Sequence, residues 1–100
     1  MAEKAAATRA DAALRRHRLR VRTVAVSFAA AARSAHRDLE VGDAERDALI
    51  EVWRAWAISA LDGYASDAVP LLAAEGLDGV ERLALEDELD RGYRTIRDAR

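Results

Sequence analysis

The residues best equipped for chemistry fall into two clusters of opposite sign. Arg15, Arg16, His17, Arg18, Arg20 and Arg22 crowd into the eight positions RRHRLRVR, while Glu86, Asp87, Glu88 and Asp90 form the run EDELD with Glu81 just before it. Guanidinium groups grip phosphate through a rigid fork, and a helix carrying them fits the major groove of DNA, so the basic cluster has a nucleic-acid reading. Against it, no aromatic residue interleaves the arginines, no nucleic-acid signature surrounds them, and the formal net charge of the chain is −2. The preferred reading is charge pairing: an arginine-bearing helix set against an acidic one, in the same chain or in a partner. Asp87 with Arg91 and Asp90 with Arg94 also stand at the i,i+4 spacing of local helix pairs.

Metal and covalent chemistry find little to work with. His17 and His36 are nineteen positions apart, roughly 28 Å along one straight helix, too far to share an ion. The absence of cysteine removes disulfides, thiolate zinc sites and cysteine nucleophiles. There is no glycine-rich phosphate loop, no Ser-His-Asp set, and no carboxylate lodged in an apolar run. The expectation is therefore no catalytic residue, no metal and no cofactor. An enzyme with an unrecognised site is the third reading, and it would need a pocket near Trp56 and Tyr64.

Binding surfaces are better represented. Trp53 and Trp56 stand one turn apart and read either as core anchors or as interface residues. Ile58, Leu19 and Val26 are apolar residues on otherwise polar faces, which points to a second contact surface. The candidate partner-binding set is thus Arg15, Arg18, Leu19, Arg22, Val26, Trp53, Trp56 and Ile58.

The elements that would position these residues are helical. From about Arg9 to Glu40 there is no glycine or proline, and Ala7, Ala10, Leu14, His17, Val21, Val24, Phe28, Ala31 and Ala35 recur at spacings of three and four. The alternating RLRVRTVAV favours a strand only until Val24 and Val26 break its parity. Helices are expected at about 9–40, 44–62, 68–75 and 79–98, with Gly42 and Gly76 closing the first and third, Asp43 and Asp67 capping the second and third, and Asp78 and Glu81 as a capping box for the last. Gly63 should end or bend the second helix, whose apolar face reads Leu49, Trp53, Trp56, Ala57 and Ala60, widened by Ile50 and Leu61. The last helix should pack through Leu85, Leu89, Gly92, Tyr93 and Ile96.

One hundred residues make one domain, here an all-α small helical bundle with one long N-terminal helix. That helix, about 48 Å long, exceeds the roughly 33 Å diameter of a compact domain this size. Its overhanging seam must either fray over residues 1–8 or be covered by a second copy, and a two-fold homodimer is expected. Charge is split along the chain, +5 over residues 1–41 and −7 over 42–100. Fifteen arginines to one lysine, with abundant alanine, suit a GC-rich bacterial or phage coding sequence. The longest uncharged run, Thr23–Ala32, is too short to span a bilayer, and the first residues lack the apolar core of a signal peptide, so the expected location is the cytoplasm. The functional expectation is a non-enzymatic interaction module, an assembly or regulatory subunit acting through helix-helix contacts with itself and another protein.

Overall fold

A computed structural model describes residues 2–77 and 79–100, with the side chains of 2–8 and Val69 outside the description. It is all-α. Helix α1 spans Ala2–Asp38, α2 spans Asp43–Ala68 and α3 spans Val80–Asp98, and a 3-10 turn at Val69–Leu71 follows α2.

The alanine-rich first segment forms a single helix from end to end, including the alternating stretch that mimics a strand. Its buried stripe is Ala10, Ala13, Val21, Ala25, Phe28, Ala32 and Ala35, with half-buried Leu14 and His17 filling the gap. This is the expected seam, turned slightly, so that Val24 and Ala31 lie at its edge. Ala7 lies outside the described side chains. Small side chains on this face let the neighbouring helices come close: a Cβ built on Gly92 of α3 would stand 3.1 Å from Val21 and 3.2 Å from Leu61.

The topology is up-down-up. At one end of the α1/α2 pair Arg46 donates to the carbonyl of Ala35 at 3.2 Å, and at the other His17 meets the Tyr64 hydroxyl, so these helices run antiparallel. Helix α3 runs parallel to α1, with Glu88 beside Arg18 and Arg22 and Gly92 beside Val21 and Ala25. It packs on α1 more extensively than α2 does. The molecule is elongated, 61 × 21 × 15 Å, with a radius of gyration of 16.8 Å, against about 13 Å for a compact chain this long.

Several expectations about the elements are corrected. Helix α1 starts at Ala2, ahead of Arg9, and stops at Asp38; Gly42 is not its left-handed cap, since its φ is not positive, and its carbonyl instead opens α2 by accepting from Arg46 N at 3.0 Å. Helix α2 passes through Gly63 to Ala68. Glycine inside a helix costs about 1 kcal/mol, but Leu61, Tyr64 and Ala68 all pack inward and hold the last turns. What stops α2 is Pro70, which has no N–H and whose ring would clash with the carbonyl one turn back.

The separate helix expected at 68–75 is therefore only the 3-10 turn and a tight reversal. Gly76 does close that reversal, at φ 78°, in a Schellman arrangement: Leu77 N donates to Leu72 O at 2.8 Å and Gly76 N to Ala73 O at 3.1 Å. The hydrophobic contact that accompanies this motif is supplied by Leu72 and Leu77, both buried against the α1 core. Asp67 sits in the last turn of α2 rather than at a cap. The Asp78 half of the expected capping box lies outside the described residues, and α3 begins after Gly79 with no side-chain cap.

Candidate docking groove between α1 and α2

The largest correction concerns α2. Its expected apolar face, centred on Trp53 and Trp56, builds the core only along the edge that carries Ile50, Ala57 and Leu61. The buried residues are Ile50, Ala57, Leu61 and Ala68; Trp53 is half-buried, Leu49 and Ala60 are exposed, and Trp56 is 66% exposed. Apolar residues cover well over half of this helix, and the helical period cannot say which part of so wide an arc turns inward. The core takes one edge, and the other is left facing solvent.

The charged residues of α2 make that division sharp. Between Ala48 and Ser66 the helix carries only Glu51, Arg54 and Asp62, and all three are engaged on the α3 side. Arg54 donates to the carbonyls of Ile96, Arg97 and Ala99, closing the C-terminal end of α3, and its guanidinium lies 5.2 Å from the centre of the Phe28 ring. Glu51 accepts from Arg54 at 3.1 Å, and Asp62 accepts from the Tyr93 hydroxyl. Burial and the Asp62 carboxylate together push the Tyr93 phenol up to about 12. The outward side, Ala48, Leu49, Val52, Ala55, Trp56, Ser59, Ala60 and Gly63, has no charge over about four turns. The facing part of α1, Thr23–Ala32, has none either.

Two adjoining hollows follow this uncharged seam. One, of 470 Å³, is lined by Leu19, Arg20, Thr23, Val24, Ala60, Leu61 and Tyr64. The other, of 420 Å³, is lined by Thr23, Val24, Ser27, Phe28, Ala31, Trp53, Trp56 and Ala57. They share Thr23 and Val24, so they form one shallow apolar groove on the side of the α1/α2 pair away from α3. Arg20 stands at one end of it. Glu45, on the same α2 stripe as Leu49, Val52 and Trp56, stands beyond the other, and among the described residues neither forms an ion pair.

The basic run faces elsewhere. Arg22 donates to Glu88 at 2.6 Å and Arg18 to the same oxygen at 3.2 Å, and Glu88 is 5% exposed. Burial pushes the Glu88 carboxyl up, but hydrogen bonds and charge from Arg22 and Arg18 outweigh it and hold the pKa below the ordinary value. The acidic and basic runs thus do meet, within one chain. Asp87 pairs with Arg91 at 2.8 Å, whereas no Asp90–Arg94 pair forms.

Of the eight candidate contact residues, Leu19 lines the groove with Trp53 and Trp56. Arg18 and Arg22 are spent on Glu88, Arg15 is exposed beside them, and Val26 is exposed but outside the groove. Ile58 is no free surface: it is half-buried and packs against the core, because it shares the α3-facing side with Arg54 and Asp62.

One polar cluster escaped the sequence reading. His17, taken as a lone histidine on the seam, accepts from the Tyr64 hydroxyl at Nδ1 and donates from Nε2 to Glu75 at 3.0 Å, the tautomer that satisfies both contacts. Arg16 reaches the other Glu75 oxygen at 3.4 Å. The cluster ties α1, α2 and the Leu72–Leu77 reversal together at one end of the bundle. Glu75 is remote in sequence from both partners, so no spacing announces it.

Among the described residues no three His, Asp or Glu side chains converge as a metal site, and no helix is long and apolar enough to cross a membrane. The described fold is a three-helix bundle. No known family, characterised protein or solved structure matches the chain.

Proposed function

We propose that this protein is a helix-docking module: an assembly or regulatory subunit that binds protein in the α1/α2 groove and works through helix-helix contact. The observation that carries the reading is the uncharged outward face of α2 around Trp56. Apolar residues singly exposed are ordinary, but a continuous apolar groove with Trp and Tyr in it has the composition of an interface core. A nucleic-acid role is the weaker reading, because Arg16, Arg18 and Arg22 already face carboxylates.

The test is photo-crosslinking in the cell of origin, with p-benzoylphenylalanine at position 56 and a control at position 94 on exposed α3. A discrete protein adduct from position 56 that is lost when Leu19→Glu is added is the expected result. Equal or absent adducts from the two positions would refute the docking reading.

A further inference from the structure

We infer that the occupant of the groove is a second copy of this chain, laid antiparallel across the first about a two-fold axis at the level of Trp53. This rests on the docking reading and names the partner.

The first support is what the groove lacks. Covering it with a partner helix of ordinary surface would strip water from that helix's charges with nothing opposite to receive them, which is strongly unfavourable. The face of this chain's own α1/α2 pair is uncharged from Thr23 to Ala32 and, on the outside of α2, from Ala48 to Ser66. It can be buried against itself without desolvating any charge.

The second support is the charge at the two ends. Helices α1 and α2 run antiparallel with His17 beside Tyr64 and Arg46 beside Ala35, pairs whose numbers both add to 81 (17 + 64 and 35 + 46). Arg20 is therefore level with Leu61, and the two line the same hollow. From Leu61 to Glu45 is about 24 Å of helix at 1.5 Å per residue, with its midpoint at Trp53. A two-fold axis there, lying in the interface plane and running across the helices, stacks α2 on α2 and brings Arg20 of each copy level with Glu45 of the other, one helix to the side. It also lays Trp56 over Leu49 and Val52 of the second copy. An axis along the helices would instead bring Arg20 level with Arg20 and Glu45 level with Glu45, so the charge pattern selects the antiparallel pairing.

The size of the strip sets the strength. It is roughly 23 Å long and two helices, about 20 Å, wide, which lies at the low end of specific interfaces. The expected association is micromolar, with dimers replacing monomers between about 1 µM and 1 mM.

Sedimentation equilibrium of the full chain over that range tests the inference. The wild type is expected to pass from 10.9 kDa to twice that mass. Trp56→Glu is expected to remain monomeric throughout while keeping the wild-type helical signal and melting temperature, because Trp56 contributes little to the core. Arg20→Glu and Glu45→Arg are each expected to weaken association about tenfold, and the double variant to restore it. A wild-type chain that stays monomeric, or a dimer indifferent to Trp56→Glu, overturns the inference. So does failure of the double variant to recover. A monomeric wild type that still gives a Leu19-dependent adduct of a different mass from position 56 would sink the second copy yet leave the docking reading standing; no adduct and no association would sink both.

Discussion

Replacing Glu88 by glutamine removes one charge from the bundle and almost no volume, which makes it the cleanest probe of how α1 and α3 are joined. The wild-type carboxylate is 5% exposed and receives Arg22 at 2.6 Å and Arg18 at 3.2 Å. Buried hydrogen bonds to a charged group contribute about 1.5–3 kcal/mol. The two arginines are themselves 40% and 55% exposed at the side chain, so in the variant water takes over part of their solvation, and the glutamine oxygen still accepts one bond. The expected loss is about 2 kcal/mol at pH 7, or about 10 °C in melting temperature for a domain of this size. Because the folded pKa is lowered, the stabilisation is present above the unfolded value near 4.5 and is lost as pH falls below it through the folded one. Urea unfolding followed by circular dichroism at pH 7 and again at pH 3 measures this directly. The gap between wild type and Glu88→Gln should be smaller at pH 3 than at pH 7, because the carboxylate's contribution fades as pH falls from 4.5 through the folded pKa. An equal gap at both pH values would mean that shape, not charge, joins the helices; no gap at pH 7 would mean that the pair only balances its own desolvation.

Three further predictions concern neighbouring contacts. Absorbance titration should show one of the two tyrosines resisting ionisation until about pH 12, and Asp62→Asn should bring it down; the raised folded pKa means its contribution is present at neutral pH and lost as pH climbs through that value. Gly92→Val should destabilise by about 3 kcal/mol or more in chemical denaturation, since even a single Cβ stands at 3.1–3.2 Å from Val21 and Leu61; Gly92→Ala should stay within about 1 kcal/mol of wild type, its helix propensity offsetting the squeeze. Arg54→Lys should cost about 2 kcal/mol and speed hydrogen exchange in the last turn of α3, because a single ammonium cannot reach the carbonyls of Ile96, Arg97 and Ala99 together.

Much of the fold could be read from residue order because local physics decides it. The alanine-rich N-terminal helix, the Gly76 reversal and the Leu85, Gly92, Ile96 stripe all follow from propensity and period. The sequence signal failed where long-range packing chose between equal local options. Trp56 and Ile50 lie on the same wide apolar arc of α2, and only the position of α3 tells which of them is covered. Glu88 is chemically indistinguishable from Glu86, yet the register of α3 turns one toward Arg18 and Arg22 and the other to water. Gly63 looked like a stop and Pro70 like the first turn of a new helix; the proline ends α2 sterically, whereas the glycine only weakens it. The candidate groove was partly visible as Leu19, Trp53 and Trp56, but its continuity required α1 and α2 to be brought side by side.

The parallel pairing of the outer helices also shapes how the chain acquires its structure. Val21 and Ala25 lie beside Gly92, and Arg22 beside Glu88, across sixty-six positions or more. At about 5–20 residues per second of synthesis, Ile96 follows Val21 by roughly 4–15 s, far longer than a helical hairpin takes to form. During that wait the nascent α1/α2 hairpin presents two sticky sides, the seat of α3 and the groove. The seat of α3 holds Val21 and Leu61 among alanines, while the groove holds the tryptophans. Folding intermediates of this protein should therefore aggregate through the groove, and a chaperone that recognises aromatic clusters would bind it early.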